Sequence, residues 1–535
     1  MEVSSIPRRK PDARRACRFL LPALLAPAVL AAGCGGSGST TPEPTPTPTP
    51  TPAAEFSGMM QSGTTPVSGA TVSLYAAGTT GPGVGATNLL PGTTVTTNSA
   101  GNFTVPVFTC PASASQIYLV GRGGNPNPSS GADNSASVMM APLGDCSGVS
   151  SSTNVVMNEV TTAASTWALA QFLGADAAVG ATSTNATGLR NAFLTVNNLV
   201  DVSKGTAPGP ALPASAILET AKLNSLANAL WACDQSAGGS ACQTLFSAAT
   251  QGGMTPANTL DAALAIVRQP AANVGTVFGL QANGPFQPAL TGAPHDWLLS
   301  VTFGNCASGC GGLDLPGSVA IDSTGNIWVA NYFGGAASKF SPTGVPASAN
   351  GFAATGMAAS YGIAVDAQDS AWITNENGTS ANGTLNGSVT HLSSSGQNLS
   401  GAGYTGGGIY YPLALATTSG GNVWVADYAN SAASLLANDG GALSGASGYA
   451  AETLLFTSAV AVDAGQNGWF AFQGGVARVT PANVVSSFSC CQDPDAIAID
   501  ASGQVWVADY GASAVVKLSS AGAVLGQTTA GGLYT

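Results

Sequence analysis

Five tryptophans recur through the C-terminal half of the chain, and the residue three places after each is the first candidate for chemistry. Behind Trp328, Trp372, Trp424, Trp469 and Trp506 stand Asn331, Asn375, Asp427, Phe472 and Asp509. Tyr332, Tyr428 and Tyr510 follow three of them directly. Amides and carboxylates supply oriented acceptors, and tyrosine joins an apolar body to a polar tip, so a ring of these groups suits hydroxylated or weakly cationic ligands. The same residue types also hydrogen-bond their own loops, which is the structural alternative. A second set, Asp322, Asp366, Asp463 and Asp500, lies six residues before its tryptophan at a chain reversal. An aspartate there caps the amides of its own turn, and a residue repeated in this way differs from a reaction centre, which is asymmetric.

Acid–base chemistry has few residues to work with. Histidine occurs twice, as His295 ahead of the repeats and His391 within the strand-like Ser388–Leu392. A lone strand histidine is read as structural, with no neighbours to tune it. No Ser-His-Asp grouping can be assembled. The many glycines lack the Lys-Ser or Lys-Thr ending of a phosphate loop, and the cysteines lack zinc-site spacing.

These residues need a scaffold that repeats. Val319-Ala320-Ile321-Asp322 leads through Gly325-Asn326 to Ile327-Trp328-Val329, and variants of the phrase recur four more times. The tryptophans step by 44, 52, 45 and 37 residues, the period of a propeller blade rather than a solenoid. Each copy predicts an inner strand, a tight turn, a tryptophan-bearing strand and a third strand such as Ser338–Phe340 or Val515–Leu518. The phrases resemble NHL-type repeats and the blades of streptogramin lyase (virginiamycin B lyase) over residues 313–535. That resemblance implies a β-propeller of five or six blades, with a partial sixth assembled from His295–Val301 and the C-terminal tail. For streptogramin lyase it further implies an elimination using a histidine base, paired glutamates and magnesium; the matching positions here carry Asn or Asp, and Glu376 is the only glutamate nearby. Gluconolactonase-like propellers would instead place a divalent cation, calcium or magnesium, on Asp427, Asp509, Asn331 and Asn375.

Upstream, residues 55–157 alternate apolar and polar side chains, as in Ala70–Tyr75 and Asn102–Val107, the period of half-buried strands. Pro66–Val72 with Ser99–Phe103 resembles the carboxypeptidase regulatory-like domain, implying a transthyretin- or Ig-like β-sandwich that supports rather than cleaves. Residues 158–275 turn to helical spacing: Val160, Ala163, Ala164, Trp167, Ala168 and Phe172 form one stripe, and Leu218, Ala221, Leu223, Leu226, Ala229 and Leu230 another. Thr255-Pro256 predicts a helix start. Three to five helices fill this small all-α domain, and 276–312 serves as connector and possible closing strand. The fold class is therefore multidomain and mainly β.

The first residues read as an address. Six basic side chains precede the apolar run Phe19–Ala32, which is too short to span a ~30 Å hydrocarbon core. It ends in Leu30-Ala31-Ala32-Gly33-Cys34, which resembles the lipobox of bacterial lipoproteins and implies lipidation at Cys34 after removal of residues 1–33. Residues 34–54 form a Gly/Ser and Pro-Thr linker, extended as a stalk. The expected location is the bacterial cell envelope, anchored to a membrane and facing the periplasm or exterior. Of 535 residues only 7% are charged, with a formal net charge of −12, which excludes a coiled coil, a charge-rich disordered chain and a nucleic-acid partner. Eight cysteines remain in the mature form, and an oxidising compartment favours disulfides. Proximity pairs Cys110 with Cys146, Cys233 with Cys242 and Cys306 with Cys310; Cys490 and Cys491 either join each other or reach back to Cys306 and Cys310.

The function expected from these features is binding: a propeller face that takes a protein, glycan or small-molecule ligand. The alternatives are a metal-dependent lyase or lactonase, and a purely structural surface protein.

Overall fold

The structure, a computed structural model, describes residues 51–126, 133–303, 310–377, 386–449 and 454–529. The signal-like segment, Cys34, the Pro-Thr stretch to Pro50 and Cys306 lie outside these residues. Among the described residues no helix is long and apolar enough to cross a membrane.

The first body is built on two sheets. In one, Thr71–Ala76 lies between Gln116–Arg122 and the short strands Thr87–Asn88 and Val95–Thr96, with Val138–Asp145 on the outer edge. In the other, Phe56–Ser62 pairs antiparallel with Asn102–Val105 and parallel with Asn154–Met157. Period-two alternation puts Phe56, Met60, Leu74, Ile117 and Leu119 into the core between the sheets. Thr51–Ala53 pairs with Phe108–Cys110 in a separate two-stranded sheet, so strand structure begins before the linker boundary expected at residue 54.

Strand Gln116–Arg122 departs from simple alternation, being buried on both faces. Tyr118 and Val120, with Val138 and Met140, meet Leu169, Phe172 and Phe193 of the helical layer. Sandwich and helices therefore share a core, in the order sheet, sheet, helices. Among the described residues the range 158–275 holds five helices, the upper end of the three to five expected, α1 Glu159–Ala168, α2 Ala186–Leu199, α3 Thr220–Gln235, α4 Ser240–Ala248 and α5 Thr259–Arg268, and α6 Val274–Leu280 follows at its edge. Asn158 caps α1 by accepting from the amides of Val160 and Thr161, while Thr161 Oγ1 accepts from the Asn158 amide. The cap of α5 is Asn258 rather than Thr255-Pro256, its Oδ1 accepting from the Asp261 amide at 2.9 Å. Leu218 belongs to a strand, Ala216–Leu218, not to a helical stripe. That strand pairs with Val301–Phe303, and Trp297 and Leu299 are buried in the helical core. His295–Val301 thus completes the helical body and contributes nothing to a sixth blade.

Disulfides join Cys110 to Cys146 and Cys233 to Cys242. Cys490 is bonded to its neighbour Cys491 rather than reaching back along the chain, and Cys310 is also disulfide-bonded.

Five blades follow. Their sheets run from Pro316–Ile321 to Phe352–Ala353, Ser360–Val365 to Ser388–Leu392, Pro412–Thr417 to Ala432–Leu436, Ala459–Val462 to Val485–Phe488, and Pro494–Ile499 to Val524–Thr528. Bridges from Val389 to Tyr404 and from Ala433 to Tyr449 add an outermost contact to blades 2 and 3. Each inner strand packs beside the next, from blade 1 through blade 5. The joints between blades are apolar, and each is plugged by one tryptophan: Trp328 against Ile363 and Ile373, Trp372 against Leu415 and Val425, Trp424 against Phe470, Trp469 against Val505 and Val507. Removing a side chain of that size from water is worth about 4 kcal/mol at 25 cal/mol per Å², so a lone blade, which forfeits it, is unstable.

Candidate functional site

Two kinds of loop emerge at the same end of every blade: the turn after the tryptophan strand, and the connection into the next inner strand. Register puts Asn331 opposite Pro316, Asn375 opposite Ser360, Asp427 opposite Pro412 and Asp509 opposite Pro494. Each polar side chain therefore sits where the incoming connection becomes a strand.

All four are buried, and their polar atoms are engaged within the blade. Asn331 Oδ1 accepts from the Asp314 amide at 3.2 Å, while its Nδ2 donates to Ala336 O and Ser338 Oγ at 2.9 and 3.0 Å. Asn375 accepts from Ser360 Oγ at 2.7 Å and donates to Ser388 Oγ and Thr390 Oγ1. Asp427 accepts from the Tyr410 amide at 3.0 Å and from Ser434 Oγ at 2.6 Å. Asp509 accepts from the amides of Gln492 and Asp493, both at 2.9 Å. Burial pushes the Asp427 carboxyl up to about 8, against the opposing hydrogen bonds from Ser434 and Tyr410. These groups do not fit a calcium or magnesium ion, because their oxygens already face amides and hydroxyls of their own blade. They hold the connections in place. Phe472, their counterpart in blade 4, packs partly into the joint with blade 3.

What the connections display is aromatic. Tyr428 and Tyr510 are exposed and Tyr332 is half-buried, its hydroxyl 3.2 Å from Glu376 Oε2. The structure adds side chains that the tryptophan spacing did not flag. Phe333, Tyr361, Tyr410, Leu455 and Phe456 are also exposed at this end. They are densest at the junction of blades 3 and 4, where the ring of Tyr428 lies 5.3 Å from that of Phe456 and Tyr410 lies 5.2 Å from Tyr411. Beside them a shallow depression of about 410 Å³ is lined by Gly406, Gly407, Gly408, Ile409, Tyr410 and Asn430.

A backbone feature accompanies the aromatic side chains. Leu315, Ala359, Tyr411 and Phe456, each in the connection entering an inner strand, have φ near +50°. That region is unfavourable for bulky residues and costs about 1–3 kcal/mol each. The conformation persists because the connection is held from both sides. In blade 3 the Tyr410 amide is bound by Asp427, and the Tyr411 carbonyl accepts from the Tyr428 amide at 3.1 Å. The signal in the sequence was the phrase Gly-Gly-Ile-Tyr-Tyr-Pro at 407–412, which carries the aromatic pair just ahead of a strand-opening proline.

The other end of the blades is structural. Asp366 Oδ1 accepts from the amides of Gln368 and Ser370, and its Oδ2 from Trp372 Nε1 at 2.9 Å. Asp463 and Asp500 repeat the arrangement with Trp469 and Trp506. Asp322 turns to Lys339 instead, at 3.1 Å; burial would raise its carboxyl, but bonds from Asn326, Thr324 and Lys339 bring it down to about 2. His391 is buried, stacked on Trp372 with ring centroids 3.8 Å apart, and burial lowers its pKa. It occupies the cross-strand position that Lys339, Arg478 and Lys517 hold over Trp328, Trp469 and Trp506, and so belongs to the packing of the outer strand.

No family model matches the chain, and no curated protein does. Solved structures similar to it include a catalytically inactive virginiamycin B lyase from Staphylococcus aureus with quinupristin, at 16% identity and TM-score 0.34 over 42% of this chain and 72% of that one. A putative gluconolactonase is 16% identical, with TM-score 0.28 over 36% and 70% of the two chains. A chain of a nidogen/laminin complex is 15% identical, with TM-score 0.32 over 41% and 81%.

Proposed function

We propose that this is a lipid-anchored cell-envelope protein that binds a hydroxylated, glycan-like ligand along the aromatic end of its blades. The observation carrying this is a division of labour: the buried Asn and Asp groups hold the connections, while Tyr410, Tyr428 and Phe456 are displayed to solvent beside an open depression. A sugar ring offers apolar faces that stack on phenol and phenyl rings, and hydroxyls that bond tyrosine tips and the exposed peptide groups of a glycine-rich connection. The anchor rests on Leu30–Cys34 and on the Pro-Thr repeat of residues 41–52 that follows it in the sequence.

The test is retention on immobilised soluble polysaccharides, comparing the mature chain with Tyr410→Ala/Tyr428→Ala/Phe456→Ala. We expect at least about a tenfold loss of affinity, roughly 1.4 kcal/mol, with unchanged melting. Equal retention by both proteins counts against the binding face, and turnover of a lactone would favour the lyase or lactonase alternative. For the anchor, Cys34→Ser should move the protein from the membrane fraction to the soluble one.

A further inference from the structure

The three bridges whose partners are both described differ in what they can do. Cys110, Cys146, Cys233 and Cys242 are at most 3% exposed, sealed in the cores of the sandwich and the helices. Cys490 and Cys491 are only half-buried, resting on the joint that holds Trp469, Val505 and Val507. A bridge stabilises chiefly by closing a loop in the unfolded chain, and more so as the loop lengthens. Cys110 and Cys146 lie 36 positions apart and Cys233 and Cys242 lie 9 apart, whereas Cys490 and Cys491 are neighbours. Their bridge staples no loop. It fixes only the peptide between the two residues.

That peptide stands where the chain leaving blade 4 turns into the inner strand of blade 5, at the end that displays the aromatic side chains. In blades 1 to 3 the carbonyls of Leu315, Ala359 and Tyr411 accept from the amides of Tyr332, Glu376 and Tyr428, and each of these three acceptor residues has φ near +50°. Blade 4 places that conformation at Phe456. Blade 5 makes the same bond, from the Tyr510 amide to the Asp493 carbonyl at 3.0 Å, with Asp493 outside the left-handed region. What distinguishes this connection is the bridge two residues upstream. It is followed at once by Gln492 and Asp493, whose amides both reach Asp509, while Asn331 and Asp427 each hold a single amide of their incoming connection. The Gln492 carbonyl also accepts from the Gly474 amide at 3.0 Å. The bridged pair thus takes over the steering that a left-handed residue supplies in the other blades, and the exposed Tyr510 hangs from the connection so shaped.

We propose that Cys490–Cys491 is a site of reversible thiol–disulfide exchange with a dithiol reductant, and that opening it frees the blade 5 connection and Tyr510. A thiolate of the dithiol attacks one bridge sulfur, forming a mixed disulfide and releasing the other sulfur as a thiolate. The second thiol of the reductant then displaces the remaining cysteine and closes the reductant's own disulfide. Two electrons pass to the bridge, and the two protons lost by the dithiol end on Cys490 and Cys491. Attack requires access to a sulfur, which the half-buried pair offers and the four buried cysteines do not.

The full chain, kept folded without denaturant, is treated with dithiothreitol and trapped with iodoacetamide, and each cysteine is read by peptide mass mapping. Cys490 and Cys491 should be labelled at least about tenfold faster than Cys110, Cys146, Cys233 and Cys242, and oxidised glutathione should restore the bridge. Hydrogen exchange then reads the connection: the amides of Gln492, Asp493 and Tyr510 should exchange at least about fivefold faster once the bridge is open, with those of Tyr332 and Tyr428 unchanged. Cys490→Ser/Cys491→Ser should exchange like the reduced parent whether or not dithiothreitol is present. Equal labelling of all six cysteines overturns the proposal, as does labelling of the pair without reductant or failure of the bridge to re-form. Unchanged exchange at Gln492, Asp493 and Tyr510 after opening overturns it as well, since the bridge would then steer nothing.

Discussion

The indole Nε1 of Trp372 donates to Asp366 Oδ2 at 2.9 Å, and the same carboxylate accepts two amides of its own turn. One side chain thereby fixes both the turn between the inner two strands and the orientation of the tryptophan that seals the next joint. The six-residue spacing expresses this geometry, since the turn brings the two residues side by side on neighbouring strands.

Asp366→Ala should therefore cost more than an ordinary turn substitution. It leaves a buried indole and two amides without an acceptor, for a loss of about 3 kcal/mol. Urea unfolding measures it directly. A change below about 0.5 kcal/mol, the range of neutral surface substitutions, would show that the tryptophan is held by packing alone.

Asp427→Asn should stabilise the protein in alkaline solution. The folded-state pKa is raised to about 8, so the folded protein holds a proton that the unfolded chain releases above its ordinary value near 4, and stability falls as pH rises between these limits. Blade 1 places Asn331 in the equivalent position, donating to Ser338 as an uncharged amide. The variant should melt about 5 °C higher at pH 9 and much like the parent at pH 4. Parallel pH profiles of parent and variant would refute a proton held at Asp427.

A second pH effect is expected between the sandwich and the helices. Glu159 of α1 and Asp234 of α3 are both buried, and Glu159 accepts from Ser62 Oγ at 2.6 Å and the Gly63 amide at 3.0 Å. Burial raises both carboxyls, and the nearby Glu159 raises Asp234 further. The folded state retains protons here, so stability declines as pH climbs above the ordinary carboxyl range. Asp234→Asn should flatten that decline, as read by melting temperature against pH; an unaltered slope would place the titration elsewhere.

Lys339→Met should be more damaging than Lys517→Met. Both ammonium groups lie over a tryptophan, at 4.7 and 4.5 Å, but Lys339 also meets Asp322 at 3.1 Å and donates to Ser394 O at 2.8 Å. Losing the nearly buried Lys339 leaves Asp322 partly unpaired, at about 2 kcal/mol against about 0.5 kcal/mol for the more exposed pair. Because Asp322 is held near 2, below its ordinary value, its contribution is present above about pH 4 and fades as pH falls through 2. Equal unfolding free energies for the two variants would remove Asp322 from the explanation.

Millimolar calcium or magnesium should leave the melting temperature within about 1 °C of its value in chelator, because an ion bound only by the folded state must raise it. A larger rise would locate a cation on the folded chain and reopen the lactonase alternative.

The sequence by itself determined the repeating units. The tryptophan period, the aspartate six places before it and the alternation of the inner strands are local patterns, and they mark blades, turns and sandwich strands wherever neighbours are close in the chain. The same reasoning placed Asn331, Asn375, Asp427 and Asp509 at the end of the blades that the connections share, and the register sets each opposite the first residue of its inner strand. Only the tertiary structure decided what those side chains do, because burial and the choice of partner depend on the connection arriving from the preceding blade. It also decided that Trp297 and Leu299 complete the helical core rather than a blade, since an apolar run reads alike whichever surface it covers. The exposed aromatic groups, and the contrast between the exposed Trp506 and the other four, buried tryptophans, arise from the order of blades in space: identical phrases are buried or bare according to whether another blade stands beside them.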